Sequence, residues 1–110
     1  MNETRIKRLE KQILRLAAEI TYRRLKSPDV GFVTYTGCTL SNDGTIAEIK
    51  VSVYDYQTDN GKSIRALNRA NGVFRSIIGK NLRLKNTPEI KFVPDDSLEK
   101  MDKIDALLKE

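Results

Sequence analysis

The sequence predicts an α+β domain in the order helix, strand, strand, helix, helix, strand, with helices packed on one face of a three-stranded sheet. From Ile6 to Ile20, apolar residues recur every three or four positions, as in an amphipathic helix. From Ala47 to Val53, apolar and polar residues alternate, as in a half-buried strand. A length of 110 residues suits one hydrophobic core, so we expect a single domain over residues 1–110.

The first helix is predicted from Glu3 to Lys26. Apolar residues three or four positions apart form one stripe along it, consisting of Ile6, Leu9, Ile13, Leu16 and Ile20. The opposite face is mostly basic and carries Lys7, Arg8, Lys11, Arg15 and Lys26. Because a proline disfavours helical backbone at the residue before it, the helix should end before Pro28.

A β-hairpin follows, with strands predicted from Phe32 to Leu40 and from Thr45 to Tyr54. Between them, the Asp43-Gly44 step favours the positive φ angles of a tight turn. Every second residue of the second strand is apolar, namely Ala47, Ile49, Val51 and Val53. Since these side chains point to the same face, one face of the sheet should be covered and the other open.

Two short helices are predicted from Lys62 to Ala70 and from Val73 to Leu84. Gly72 lies between them and should permit a sharp change of direction. Pro88 then launches a short third strand, from Glu89 to Val93.

The region between Asp59 and Glu89 carries seven basic residues and no acidic one. These are Lys62, Arg65, Arg69, Arg75, Lys80, Arg83 and Lys85. The chain as a whole is only moderately basic, with a net charge of +5 and a pI near 9.4. A local block of one sign predicts a surface for a polyanion, and nucleic acid is the leading partner.

The centre of this surface is expected at the kink between the two helices, Ala70-Asn71-Gly72. The helix predicted from Lys62 to Ala70 carries one stripe of basic residues, Lys62, Arg65 and Arg69, with no carboxylate partner. This favours phosphate contact over a plain solvated face. Asn71 and Gly72 supply backbone amides at a helix N-terminus, where phosphate is readily held. Alternatively, the glycine serves only the geometry of the turn.

Catalysis has little support in the composition. The chain has no histidine and one cysteine, Cys38, so it lacks a nucleophile–base set and a Cys/His zinc cluster, and we expect no metal or cofactor. Cys38 lies in a strand pattern, where a buried, inert thiol is usual. Carboxylates are dense only at Asp95, Asp96, Glu99 and Asp102. In the acidic segment 95–110, they favour the start of a terminal helix over residues 97–108 rather than a Mg²⁺ site.

The chain has seven aromatic rings, and core packing explains most of them. Tyr54 and Tyr56 lie at a strand end beside a polar loop, so they are the better candidates for stacking on nucleobases.

Several motifs together resemble the ribosome-binding factor A family. In chain order they are Ser27-Pro28-Asp29-Val30-Gly31, Ala70-Asn71-Gly72-Val73-Phe74-Arg75-Ser76, Leu82-Arg83-Leu84, Pro88-Glu89-Ile90, Asp96-Ser97-Leu98 and Ile104-Asp105-Ala106-Leu107-Leu108. The resemblance covers nearly the whole chain. It implies a type II KH-like fold in which the interhelical kink replaces the Gly-x-x-Gly loop that clamps RNA. This sequence indeed contains no Gly-x-x-Gly.

The resemblance also implies a function. Members are non-enzymatic cytoplasmic factors that bind the immature small (30S) ribosomal subunit, assist maturation of its ribosomal RNA including the 5′ end, and support growth in the cold. Release is aided in many bacteria by a GTPase, and we expect a monomer. No apolar run has the length of a bilayer span and no signal-peptide core follows the N-terminus, which fits the cytoplasm.

The charge pattern, rather than the resemblance, predicts phosphate contacts at Lys62, Arg65, Arg69, Asn71, Gly72, Arg75, Lys80 and Arg83, with a second patch at Lys7, Arg8, Lys11 and Arg15. Two alternatives stay open. One is a KH-like module that binds single-stranded RNA or DNA by sequence. The other is a small metal-dependent nuclease using Asp95, Asp96 and Glu99.

Overall fold

A three-stranded mixed sheet organises the chain, with β2 at its centre. The computed structural model describes residues 2–25, 27–54, 59 and 61–95. Within these residues the elements are α1 (Glu3–Arg23), β1 (Val33–Leu40), β2 (Ile46–Val53), α2 (Lys62–Arg69), α3 (Asn71–Leu82) and β3 (Glu89–Pro94). β1 pairs with β2 in an antiparallel hairpin, and β3 pairs with β2 in parallel. The predicted element order is confirmed.

The turn of the hairpin is built around Asp43. Its Oδ1 accepts hydrogen bonds from the Thr45 hydroxyl at 2.7 Å, the Ser41 hydroxyl at 2.8 Å and the Thr45 amide at 3.1 Å. Gly44 adopts a φ of 75°, as the Asp-Gly step predicts. The bonds from Thr45 and Ser41 lower the pKa of the Asp43 carboxyl. The register then shifts once, between Tyr35 and Gly37, which marks a bulge in β1.

One face of the sheet forms the core, and the predicted apolar stripe of α1 packs against it. The buried apolar residues of the helices are Ile6, Leu9, Ile13, Leu16, Ala17 and Ile20 on α1, Ala66 and Leu67 on α2, and Phe74 and Ile78 on α3. Phe74 meets Phe92 of β3 edge-to-face, with ring centroids 4.7 Å apart. Val73 is 44% exposed, because it lies on the outer side of the first turn of α3.

The free edges of the sheet are partly covered by helix side chains. On β3, the Asn68 amide of α2 both donates to the Phe92 carbonyl at 3.0 Å and accepts from the Phe92 amide at 2.9 Å, as a neighbouring strand would. On β1, Glu10 of α1 accepts from the Leu40 amide at 2.8 Å. These contacts place α2 along one edge and α1 along the other.

The kink between α2 and α3 falls where it was predicted, but a different residue makes it. Ala70 (φ −90°, ψ 9°) ends α2, and α3 already begins at Asn71. Gly72 therefore lies in the first turn of α3. In the described residues the glycines with positive φ are Gly44 and Gly61. The prediction that Gly72 supplies the change of direction is wrong, since a single turn residue is enough.

The other boundaries differ by one to three residues. α1 ends at Arg23 rather than at Lys26, because the amides of Arg24 and Leu25 both bond to the Ile20 carbonyl. α3 ends at Leu82 because Arg83 takes the left-handed conformation (φ 51°) that terminates helices. The predicted terminal helix over 97–108 and Lys26 lie outside the described residues. None of the described helices is both long enough and apolar enough for a membrane span.

Candidate nucleic-acid interface

α2 presents Lys62, Arg65 and Arg69 on its exposed side. The prediction that this stripe lacks a carboxylate partner is wrong. Asp29 lies 3.5 Å from Lys62 Nζ through its Oδ1, and 3.2 Å from Arg69 Nη2 through its Oδ2. Asp29 belongs to the loop after α1, so sequence spacing around α2 gives no sign of it. The pairing lowers the positive charge of α2 but leaves Lys62 and Arg69 more than half exposed.

The start of α2 is held by a buried serine. Ser63 is fully buried, and its hydroxyl donates to Asp59 Oδ1 at 2.7 Å while accepting from the Gly31 amide at 2.9 Å. Its own amide donates to Asp59 Oδ2 at 3.0 Å, which caps the helix start. With Asn68 bound to the edge of β3, α2 is fixed near both ends, and its basic stripe is presented to solvent in one orientation.

Beyond the kink, α3 and the loop before β3 enclose an open hollow of about 710 Å³. Its lining consists of Gly72, Arg75, Ser76, Gly79, Lys80, Leu84, Lys85, Asn86 and Thr87. Three of these residues are basic and none is acidic. Arg75 Nη2 donates to the Thr87 carbonyl at 3.3 Å, so this guanidinium also ties the loop to the helix. Lys85, which was noted in the basic block but left out of the predicted contacts, joins the site here.

The two glycines of α3 differ in their surroundings. A Cβ at Gly79 would lie 2.4 Å from Thr87 Oγ1, so the loop packs directly on this glycine. A Cβ at Gly72 would meet nothing within 4 Å, although glycine is unfavourable in a helix. The fold explains Gly79 and does not explain Gly72. An open helix start without a side-chain cap, at exposed Asn71 and Gly72, suits close approach by an anion.

Arg83 adds a cation at the other end of α3. It is exposed and is the one non-glycine among the described residues with positive φ. Glycine is the residue usually found in this conformation, so the arginine is a costly choice for the fold. This suits its predicted role in binding, which stays a prediction.

Two residues of the predicted patch on α1 lie in a hollow away from α3. Lys7, Arg8, Lys11 and Arg15 are all exposed, and Lys7 pairs with Glu3 at 3.8 Å. Lys11 and Arg15 line a shallow hollow beside β1, away from α3. Arg5 instead lines a hollow of about 480 Å³ together with Arg75 and Lys85. Sequence analysis missed Arg5, since only the packing of α1 against the loop before β3 brings it there.

Cys38, the carboxylate group and two tyrosines remain from the sequence predictions. Burial, and then the Glu10 carboxylate, raise the pKa of the Cys38 thiol from 9.0 to about 12, which agrees with the inert interpretation. The described residues contain no cluster of three His, Cys, Asp or Glu suited to a metal ion. Asp96, Glu99 and Asp102 of the predicted carboxylate group lie outside those residues, as does Tyr56. Tyr54 is described and is 77% exposed.

Comparison with known proteins gives a consistent result. The family model of ribosome-binding factor A matches residues 5–108. Ribosome-binding factor A of Natranaerobius thermophilus is 38% identical over 110 residues, covering 100% of this chain and 84% of that protein. The protein of the same name from Brevibacillus brevis is 36% identical, covering 100% of this chain and 91% of its own.

Solved structures agree with the sequences. A solution NMR structure of a Thermotoga maritima protein described as a ribosome-binding factor A matches with a TM-score of 0.71 and 37% identity, over 88% of this chain and 93% of that one. The crystal structure of ribosome-binding factor A from Thermus thermophilus matches with a TM-score of 0.68 and 28% identity, over 81% and 94%. A homology model of the Thermus thermophilus factor, fitted into a cryo-EM map of a 30S complex, matches with a TM-score of 0.64 and 29% identity, over 81% and 93%. The predicted KH-like α+β fold is confirmed, and the chain belongs to the ribosome-binding factor A family.

Proposed function

We propose that this protein binds the small ribosomal subunit through its ribosomal RNA and acts there as a non-catalytic assembly factor in the cytoplasm. The observation that carries the proposal is the hollow on α3, which collects Arg75, Lys80 and Lys85 without an acidic neighbour in its lining. A pocket of one sign concentrates polyanions. The Thermus thermophilus relative fitted into a 30S complex supports the choice of the small subunit as the polyanion.

RNA suits this surface better than a small anion. The basic residues are distributed over α2, α3 and the loop before β3, so a polyanion can contact several of them at once. Phosphate contacts of this kind recognise backbone path and shape rather than base sequence. We assign contacts to Lys62, Arg65, Arg69, Asn71, Gly72, Arg75, Lys80, Lys85 and Arg83, with Lys7, Arg8, Lys11 and Arg15 as a second patch.

The mechanism we propose is steric and conformational. A folded domain seated on immature ribosomal RNA disfavours alternative RNA structures and so assists maturation, including that of the 5′ end. The protein acts as a monomer, and a GTPase that remodels the same RNA promotes its release. Binding of this type weakens with salt, since log K falls by about 0.7 to 0.9 per phosphate neutralised for each unit of log salt concentration.

The test is co-sedimentation with purified small subunits at two salt concentrations, using two charge-reversed variants. Lys80→Glu/Lys85→Glu alters the hollow, whereas Arg23→Glu/Arg24→Glu makes the same change in net charge at the end of α1, where no RNA contact is assigned. Arg75 is left intact because it also holds the loop before β3. We expect the first variant to lose salt-sensitive binding and the second to keep it.

Three outcomes would contradict the proposal. Equal losses in both variants would mean that net charge alone drives binding. Equal affinity for small and large subunits would remove the small-subunit assignment and favour a general single-stranded RNA or DNA module. Cleavage of the subunit's RNA that stops when a chelator is added would favour the nuclease alternative.

A further inference from the structure

Two aromatic side chains on the open face of the sheet have no role in the core. Phe32 is 72% exposed and Tyr54 is 77% exposed, which makes them the most exposed large apolar residues in the part of the chain that the structure describes. They lie opposite each other, directly before β1 and directly after β2, where the Tyr54 amide donates to the Phe32 carbonyl at 2.9 Å. Their rings meet edge-to-face, with centroids 6.4 Å apart and planes at 76°.

The fold gives little reason for aromatic residues at these two positions. The next outward-facing pair on the same two strands is polar, Thr34 opposite Ser52. An aromatic cross-strand pair stabilises a hairpin modestly, but it leaves the outer ring surfaces in water. Large exposed aromatic surfaces that lie together are typical of binding sites.

The surroundings of this pair indicate the ligand. Gly31, directly before Phe32, is bound by Ser63 at the start of α2, and Asp29 contacts both Lys62 and Arg69. The loop that leads into Phe32 therefore contacts the basic stripe of α2. Aromatic rings next to cations that follow a phosphate backbone are the arrangement by which proteins bind single-stranded nucleic acid.

A third exposed ring lies on α1, near the same end of the hairpin. Tyr22 is 66% exposed, and its hydroxyl donates to the Val33 carbonyl at 2.8 Å, one residue from Phe32. Three of the five exposed large apolar residues in the described chain thus lie at one end of the hairpin. The opposite end of β2 has Ile46, which is 37% exposed, on the same face.

We propose that Phe32 and Tyr54 form a stacking platform for an unpaired nucleobase of the RNA whose phosphates contact α2. This inference rests on the proposed function and extends it, because it adds a base-stacking site to a surface defined so far by charge. Stacking accepts any base, so the platform selects unpaired over paired RNA rather than one sequence over another. It also strengthens binding where Asp29 has lowered the charge of α2.

The test uses the absence of tryptophan from the chain. Phe32→Trp places a single fluorescent reporter in the platform, and Ile46→Trp places the same reporter on the same face at the other end of the sheet. Each protein is titrated with a 12-nucleotide single-stranded oligoadenosine and with a 12-base-pair RNA duplex. We expect strong quenching of Phe32→Trp by the single strand, weak quenching by the duplex, and little change in Ile46→Trp.

A second measurement separates stacking from charge. Phe32→Ser/Tyr54→Ser should lower affinity for the single strand by about tenfold with an unchanged salt dependence, because no phosphate contact is lost. Phe32→Tyr/Tyr54→Phe exchanges the two rings and should keep the affinity. Circular dichroism checks that each variant is folded. If the serine variant unfolds, the quenching results and the affinity of the ring-exchange variant still test whether the two rings stack on a base.

Several results would overturn the platform. These are equal quenching of the two reporters, a duplex that quenches as well as the single strand, or a serine variant with unchanged affinity. Blue-shifted emission of Phe32→Trp in the free protein would mean that the chain or a second copy already covers the ring. Each of these leaves small-subunit binding through α3 intact. If the wild-type protein does not bind small subunits while the single strand still quenches Phe32→Trp, the proposed function is refuted instead.

Discussion

α2 and α3 carry similar numbers of basic residues but hold them in different ways. On α2, Asp29 pairs with Lys62 and Arg69, and the helix is fixed through Ser63 and Asn68. On α3, the basic residues face an open hollow with no acid in its lining. In the first turn of α3, a Cβ at Gly72 would meet open space.

We infer from this difference that one continuous basic block in the sequence serves two purposes. α2 is a positioned element whose charge is partly balanced within the protein, and such exposed pairs change stability little. α3 keeps its positive charge directed at solvent, where a phosphate backbone gains most from it. We infer that α3 supplies most of the electrostatic affinity for RNA, whereas α2 orients the surface.

Releasing α2 from the sheet is one of the two largest predicted effects. Asn68→Ala leaves the amide and carbonyl of Phe92 without partners, and we expect a loss of about 2 kcal/mol in the free energy of unfolding. Asn81→Ala is the matched control, since Asn81 on α3 bonds only to the Ile77 carbonyl at an exposed site. Urea denaturation of both variants measures the difference. Equal effects would show that Asn68 does not hold α2 to the edge of β3.

Gly79→Ala should break the packing of α3 against the loop before β3. The added methyl group would overlap Thr87 Oγ1, and we expect destabilisation of about 1–3 kcal/mol. Thr87→Ala removes the overlapping atoms, so the double variant Gly79→Ala/Thr87→Ala should recover most of that loss. Thermal denaturation of the four proteins in this cycle gives the coupling energy. Simple additivity would contradict the close contact.

Gly72→Ala should have the opposite effect on stability. The methyl group meets open space, so the helix gains about 0.5 kcal/mol from replacing glycine. We expect RNA affinity to fall by about threefold or more, because the methyl group intrudes where a phosphate approaches the helix start. Paired measurements of melting temperature and RNA binding test this. A stabler protein with unchanged binding would show that Gly72 does not contact RNA.

Asp29→Asn should sharpen the comparison by making α2 more like α3. Removing this carboxylate frees Lys62 and Arg69, and we expect RNA affinity to rise by about two- to threefold at low salt. Stability should change by less than about 1 kcal/mol, since the ion pairs are exposed. Filter binding at low and high salt measures the gain. An affinity that falls would mean that Asp29 positions the cations for binding rather than competing with RNA.

Sequence alone predicted the features that depend on local pattern. The stripe from Ile6 to Ile20 and the alternation of β2 located the core, because both periods follow from backbone geometry. Features that depend on distant residues were missed. Asp29 meets α2 across more than thirty residues of sequence, and only packing brings Arg5 to the second hollow, which it shares with Arg75 and Lys85.

The kink shows a further limit. The order of residues around Ala70 placed it correctly, but Gly72, which was expected to permit the change of direction, lies within the first turn of α3. We infer that Gly72, which has open space at its Cβ position, serves a partner that approaches closely.

The most direct test of the central claim is the salt dependence of binding to small-subunit RNA for two neutralised variants. Lys80→Gln/Lys85→Gln removes charge from the hollow, and Lys62→Gln/Arg69→Gln removes the same charge from α2. The account predicts that the slope of log K against log salt falls by about 1.4 to 1.8 for the first variant. For the second it should fall by clearly less, because Asp29 already balances part of that charge. Equal decreases in slope for the two variants, or a larger decrease for the α2 variant, would contradict the account.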